Sequence, residues 1–447
     1  HFRTGMGVVG ANYSRTIGTN SLIKLTVSGS MEHQSNHLDK VYRHIEDGFF
    51  EIDSIMEPHN GYHSNVNRNS LSFSWNKRIS KRHSFKAGIM SDLYIFDMVD
   101  SIFNESLSGY VNRMNHSGPA FLYQPYAQCK IKPSEKVTIT GGIHGQFLNL
   151  ENNVSRVVEP RLGLRYRINK KSAIGFGTGL HSQMVPTYIY YAMQAVEDES
   201  YVKSNASLDF IRSYHNVLSW DHSVSQQMRI KFEAYYQHLY NVPVEFSSSS
   251  YSVLDEGHDL SRFFPDSLVN KGTGNNTGME FTLEKFFSKS YFFMFTASIY
   301  DSNRTGSNEE TYDAIFNGRY ILNALGSKEF SFGVKRKSTF TVGGKLTMAG
   351  GKRFTPFDVA ASDIAGEAVY IDDLRNTMQF DHYFRADIKL NYKLNAMKTS
   401  HEIGLDIINV SNRSNILKQT YVRGGEPPVR ELSQLGILPL FYYRIDF

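Results

Sequence analysis

Three tyrosines crowd one short stretch, Pro186-Thr187-Tyr188-Ile189-Tyr190-Tyr191. A second aromatic set, Phe246, Tyr251, Phe263 and Phe264, falls within 246–274, and Arg353 stands in Gly351-Lys352-Arg353-Phe354. Tyrosine offers a flat apolar face and a hydroxyl, and arginine a planar fork of donors. Tyr188, Tyr190, Tyr191, Tyr251, Phe263 and Arg353 are therefore the candidate ligand contacts, by stacking and hydrogen bonding in a partly dry vestibule. The same aromatics also suit an interfacial belt, where strands leave a membrane. Both readings stand at this point.

Reactive chemistry is not indicated. Gly-x-Ser-x-Gly, His-Glu-x-x-His and P-loop patterns do not occur. The 16 histidines are scattered, and His181 and His222 have no metal-ligand spacing around them, so no metal and no cofactor is expected. Carboxylates such as Glu280, Glu284 and Asp387 alternate with Arg and Lys, which suits salt-bridge ladders rather than catalysis. The alternating glycines Gly175, Gly177 and Gly179 suit curvature or close packing within a strand. Cys129 is the single cysteine; it rules out an internal disulfide and reads as a small outward hydrophobe. An enzyme is not expected.

The elements that must carry these residues are strands. In Phe384-Arg385-Ala386-Asp387-Ile388-Lys389-Leu390-Asn391-Tyr392-Lys393-Leu394 every second residue is apolar and every residue between is polar. A strand turns successive side chains to opposite faces, so one face is greasy and the other wet. At ~3.3 Å rise and ~45° tilt such a strand spans roughly 25 Å, the height of an outer-membrane apolar band. The pattern recurs. Leu162, Leu164 and Tyr166 alternate with Arg161, Arg165 and Arg167; Ile230, Phe232 and Ala234 with Arg229, Lys231 and Glu233; Met279, Phe281 and Leu283 with Glu280, Thr282 and Glu284. Charges at this density do not line a dry core; they line a wide, wet lumen.

Composition agrees. The chain has 447 residues, 31 Phe, 27 Tyr and 34 Gly, with 48 basic and 44 acidic residues interleaved for a net charge of +4. No stretch approaches the ~18 apolar residues of a membrane helix, and no basic block marks a nucleic-acid partner. The fold class expected is all-β: a transmembrane, antiparallel, up-and-down β-barrel with about 17 strands in this chain. Connections alternate short and long. The short ones, around Lys81, Lys170 and Lys398, are assigned to the periplasm. The long ones, 31–68, 97–118, 187–206, 246–274, 301–316, 351–382 and 412–438, are assigned to the outside. That topology calls for an odd number of further strands ahead of His1.

The chain ends Phe441-Tyr442-Tyr443-Arg444-Ile445-Asp446-Phe447. Phe441, Tyr443, Ile445 and Phe447 resemble the C-terminal signal read by the barrel-assembly machinery of the outer membrane. The body resembles the barrel of TonB-dependent receptors of the Bacteroidetes type, in Glu159-Pro160-Arg161-Leu162-Gly163-Leu164, Leu239-Tyr240-Asn241-Val242-Pro243, Gly278-Met279-Glu280-Phe281, Gly351-Lys352-Arg353-Phe354-Thr355-Pro356 and Asn409-Val410-Ser411-Asn412. The resemblance implies a bacterial outer-membrane receptor that binds a ligand at its outer loops and imports it with energy from the TonB system. It implies a barrel of roughly 22 strands, of which residues 1–447 are the C-terminal part, with the plug domain and first strands elsewhere. The partners it implies are outer-membrane lipid, the plug, the TonB complex and a surface lipoprotein. A different class of function, a docking barrel within a multi-protein outer-membrane assembly, is the alternative.

Overall fold

The computed structural model describes residues 2–46, 49–104, 106–151, 153–195, 201–257, 264–265, 267–333 and 338–447. Among the described residues eighteen strands belong to one sheet. All but the stub Thr311–Asp313 are nine residues or longer, in keeping with the strand number expected. The residues group into two compact units: 1–163 with 178–214 and 239–272, and 164–177 with 215–238 and 273–447.

In the second unit the long strands meander. Leu268–Ser288 pairs antiparallel with Tyr291–Thr305, then come Tyr320–Phe332, Ser338–Ala349, Tyr383–Asn395, Ser400–Ile408 and Leu438–Asp446, each on its predecessor. The strand Tyr383–Asn395 shows why its sequence alternates. Ile388, Tyr392 and Leu394 are exposed on one face. On the other, Lys389 reaches Asp406 at 3.3 Å, Asn391 donates to Glu402 at 2.6 Å, and Arg385 donates to Asp387 at 2.8 Å. Lys389 stands opposite Asp406 in the register, so the ladder is a cross-strand pairing of opposite charges. The exposed apolar face is far too extensive for a surface in water.

The last strand carries the terminal aromatics on that apolar face: Phe441 and Tyr443 are exposed, and Phe447 follows the strand. Its inner residue Tyr442 lies flat across Gly404, its register partner; a Cβ on Gly404 would come 2.1 Å from the ring. Only glycine leaves room for the ring there, and the ring restores the packing that the glycine lacks.

In the first unit Phe2–Ile17, Ser21–Glu46, Phe49–Arg78, His83–Asn104, Gly109–Ile131 and Val137–Leu150 pair antiparallel in succession. Here two expected loops are strands. Residues 31–46 and 49–68 belong to paired strands of 26 and 30 residues, and 97–104 and 109–118 belong to the next strand pair. Their alternation is lost for two different reasons. Met31-Glu32-His33-Gln34-Ser35-Asn36 runs past the length a membrane requires, so neither face needs to be apolar. Around 97–104 and 109–118 the inner face buries Phe96, Met98 and Met114 together with Asp100 and His116, because chain packs onto it. Gly272-Thr273-Gly274, read as loop, likewise lies inside Leu268–Ser288.

Candidate functional site

The inner face of the first unit changes character along its strands. One zone is polar. Arg68 forks onto Asp92 at 2.8 and 3.0 Å, and Ser70 joins the same carboxylate. The fully buried Glu159 accepts from Gln146 at 2.9 Å, from Ser182 and from Arg161, and pairs with His144 at 2.7 Å. A buried carboxylate demands such complete pairing. Of these, Arg161 is one that the alternating sequence assigns to the wet side.

A second zone is apolar and is covered by the described residues of two segments, 184–195 with 201–210, and 246–257 with 264–265 and 267–268. The first opens with Pro186, which caps the single-turn helix Thr187–Tyr190; proline suits a helix start because its missing N–H is not needed there. Ile189, Tyr190, Tyr191, Leu208 and Phe210 then bury against Phe96, Met98, Met114 and Leu148 of the strands. Tyr251, Val253 and Leu268 join the same cluster from the second segment. Asn205, fully buried, ties the two segments together: its amide donates to the Pro265 carbonyl at 3.3 Å and accepts from the Leu268 N–H at 2.8 Å.

The candidate tyrosines fall in this layer with different fates. Tyr190 and Tyr191 are 0% and 1% exposed and belong to its core. Tyr191 stacks on His116 at 3.6 Å between centroids, and Lys203 bridges to Glu151 at 2.8 Å beside them. Tyr188 and Tyr251 donate to the two oxygens of one carboxylate, Glu256, at 2.9 and 3.0 Å. Burial raises the hydroxyl pKa of Tyr190, Tyr191 and Tyr251, and the Glu256 charge adds to the effect on Tyr251. All three therefore stay neutral at physiological pH. Lys203, through its hydrogen bond, holds Glu151 below the usual carboxylate range.

Phe263 lies outside the described residues. Its neighbour Phe264 lies edge-on to Tyr188 at 5.6 Å and under the Arg113 guanidinium at 4.6 Å, while Arg113 pairs with Asp100 at 2.5 Å. Half-buried Tyr188 and Phe264, with Arg113, form the part of this layer that retains access. Arg353 belongs to the second unit and is a clamp there. It meets Asp313 at 3.3 Å and donates to the Asn317 carbonyl, while Arg319 and Asn317 hold Asp313 from the other side at 3.1 and 2.5 Å.

Glu256, Arg113 and His116 were not singled out by the sequence pattern. The available signal was loss of alternation at Tyr94-Ile95-Phe96 and Phe121-Leu122-Tyr123, where both faces are apolar. Such strands need a second layer. Among the described residues no group of three or more His, Cys, Asp or Glu is placed to hold a metal ion. The arrangement provides aromatic faces, a paired cation and carboxylates: the chemistry of binding.

Comparisons with known proteins agree with this architecture. No curated protein sequence matches the chain. Among solved structures it is similar to the ferric yersiniabactin uptake receptor FyuA from Yersinia pestis, with a TM-score of 0.66 at 11% identity, over 100% of this chain and 62% of that one. The ferric-catecholate import receptor Fiu from E. coli gives 0.69 at 9% identity, over 99% and 64%. The pyoverdine outer membrane receptor FpvA from Pseudomonas aeruginosa gives 0.67 at 11%, over 100% and 62%. The chain thus spans less than two thirds of these receptors. Residues 2–412 match the family model described as TonB dependent receptor-like, beta-barrel. The chain belongs to that family of bacterial outer-membrane β-barrels.

Proposed function

We propose that this chain is the C-terminal part of a TonB-dependent importer, of the Bacteroidetes type its motifs resemble. A plug domain and the first strands lie elsewhere in the protein, and the TonB complex supplies the energy. Ligand binds at the layer made by 184–210 and 246–268. Tyr188, Phe264 and Arg113 present its contacts, Tyr190, Tyr191 and Tyr251 fix their positions from beneath, and Arg353 braces the loops of the second unit. The observation that carries this reading is the folded loop layer, with a core of its own, resting on strands whose remaining inner face is charged. Phe441, Tyr443, Ile445 and Phe447 serve in assembly into the membrane, and lipid is the partner of the outward face.

The long loops face outward and the short turns face the periplasm. Single cysteines at Ser248, Asn308 and Asp363 should react with an impermeant label on whole cells, and those at Lys81, Lys170 and Lys398 should not; the reverse pattern inverts the orientation. For function, a deletion strain is grown on panels of sole iron and carbon sources. A growth defect restored by the intact protein, but not by one with 246–268 replaced by a Gly/Ser linker, is expected. Growth on every source without a defect contradicts import.

One observation favours the docking alternative. The hairpin of Ser21–Glu46 and Phe49–Arg78 runs far beyond a membrane's height and exposes Leu38, Val41 and Met56 in its far part. A partner such as a surface lipoprotein would seat there. Co-purification that is lost on shortening this hairpin, with growth unaffected, would support docking over import.

A further inference from the structure

Two stretches of the loop layer, 184–195 and 201–210, meet at one imidazole. His116 stands on the inner face of Gly109–Ile131, opposite Met98, with its side chain 1% exposed. Tyr191, from the first stretch, stacks on the ring with 9° between the planes. Lys203, from the second, brings its Nζ to 3.3 Å from Nδ1. Glu151, which follows Val137–Leu150, holds an oxygen 3.0 Å from the same nitrogen, and Lys203 donates to that oxygen at 2.8 Å. Glu151, Lys203 and Tyr191 are the titratable groups that face the ring. Phe96 and Met98 face it from the neighbouring strand without charge, and Asp100 beyond them is held by Arg113. Gly118 leaves the ring its room: a Cβ there would stand 3.3 Å from Cε1.

These contacts suit a neutral ring. They assign its one N–H to Nδ1, donated to Glu151. A second proton has to go to Nε2, which is buried without a hydrogen-bond partner among the described residues. That proton also makes an imidazolium 3.3 Å from the Lys203 ammonium, with one carboxylate shared between two cations. Burial, and after it the Lys203 charge, lower the His116 pKa from 6.5 against the opposing pull of Glu151. With the layer lifted away, water reaches the ring and the penalty is gone. A histidine depressed in this way adds stability above 6.5, and that stability is lost as pH falls from there through the folded value. Mild acid therefore favours the open layer. Glu151, whose ordinary value is 4.5 and is lowered here, responds only in stronger acid.

We infer that the loop layer is an acid-released closure: 184–195 and 201–210 seat on neutral His116 and lift away when the imidazole takes a proton, loosening the site they carry. What the closure regulates rests on the ligand site proposed above. The test needs no ligand, so a failure of import leaves it standing. Hydrogen exchange of the purified full-length protein in lipid vesicles, corrected for the intrinsic effect of pH, reads the opening. One proton taken up on opening shifts that equilibrium by at most about tenfold per pH unit, so protection across the two stretches should fall about fivefold between about pH 7.5 and 5.5. Tyr383–Asn395 should hold its protection. His116→Phe keeps a ring against Tyr191 and cannot titrate, so its protection should not change over this range. Lys203→Met removes the like charge, so the loss should shrink. Glu151→Gln should keep the loss, and its disappearance there would overturn the proposal by assigning it to the carboxylate. Equal protection of the intact protein at both pH values would overturn it too, as would an undiminished loss in His116→Phe. Heat-modifiable migration on gels checks that each barrel is assembled. Should His116→Phe fail that check, Lys203→Met decides: a loss as large as in the intact protein overturns the proposal.

Discussion

The strand Tyr383–Asn395 and the layer made by 184–210 and 246–268 use similar residues to opposite ends. On the strand Tyr392 is an outward side chain, exposed beside Ile388 and Leu394. In the layer Tyr190 and Tyr191 are fully buried members of the core it forms with the strands. The strand leaves its apolar side chains exposed on one face, and its charges are satisfied in pairs, across strands at Lys389–Asp406 and within the strand at Arg385–Asp387. The layer makes its own interior, and within it Glu256 satisfies the hydroxyls of Tyr188 and Tyr251. Wall stability is thus distributed, while layer stability depends on a few large side chains.

The largest effect should come from the layer. Tyr190→Ala removes a fully buried ring, and losses of about 3–5 kcal/mol accompany such aromatic truncations. Hydrogen exchange should rise sharply across 184–210 and 246–268 while the strands of the second unit stay protected. Loss of protection throughout the sheet would mean that wall and layer are not separate in the way described. Next comes the wall. Ile388→Arg should cost roughly 2–4 kcal/mol if the position lies near the bilayer midplane. Lys389→Ala, which removes one screened ion pair, should cost about 1 kcal/mol or less. Urea unfolding in lipid vesicles measures both, and equal costs would contradict the two-faced wall.

The smallest effect expected is a dependence on acid. Glu151 has its pKa lowered in the folded layer, first by the Lys203 hydrogen bond. A depressed carboxylate adds stability above its ordinary value near 4.5, and that contribution is lost as pH falls through the folded value. Exchange protection of the backbone near Lys203 should therefore drop modestly between neutral pH and pH below 4. Glu151→Gln should be weaker at neutral pH and lose less on acidification. An identical acid response in both proteins would remove Glu151 as the cause.

Much of the wall was legible because lipid imposes period two wherever one face meets lipid and the other meets water. Phe384 to Leu394 and Met279 to Leu283 are cases where both conditions hold. The alternation fails where either condition fails. At Met31 to Asn36 the strand has outrun the membrane, so polar residues occupy both faces and the segment resembles a loop. At Phe96 and Leu148 the inner face is dry because chain covers it, so both faces are apolar. The tyrosines of 188–191 were visible as a cluster, but their burial was not. Whether a tyrosine sits in a belt, a binding surface or a core depends on what packs over it, and that contact comes from Leu208, Tyr251 and Leu268, distant in sequence. Arg353 was visible as a cation in a loop; its partners Asp313 and Asn317 lie some forty residues earlier, in a different connection.

The central claim is that Tyr383–Asn395 is a wall strand with lipid on one side and water on the other. An environment-sensitive fluorophore attached through cysteine at Ile388, and in a second protein at Lys389, tests it in vesicles containing brominated lipid. Strong quenching at 388 with little at 389 is the predicted result. Equal quenching at the two positions would contradict the account, because a strand with the same surroundings on both faces is not part of a membrane barrel.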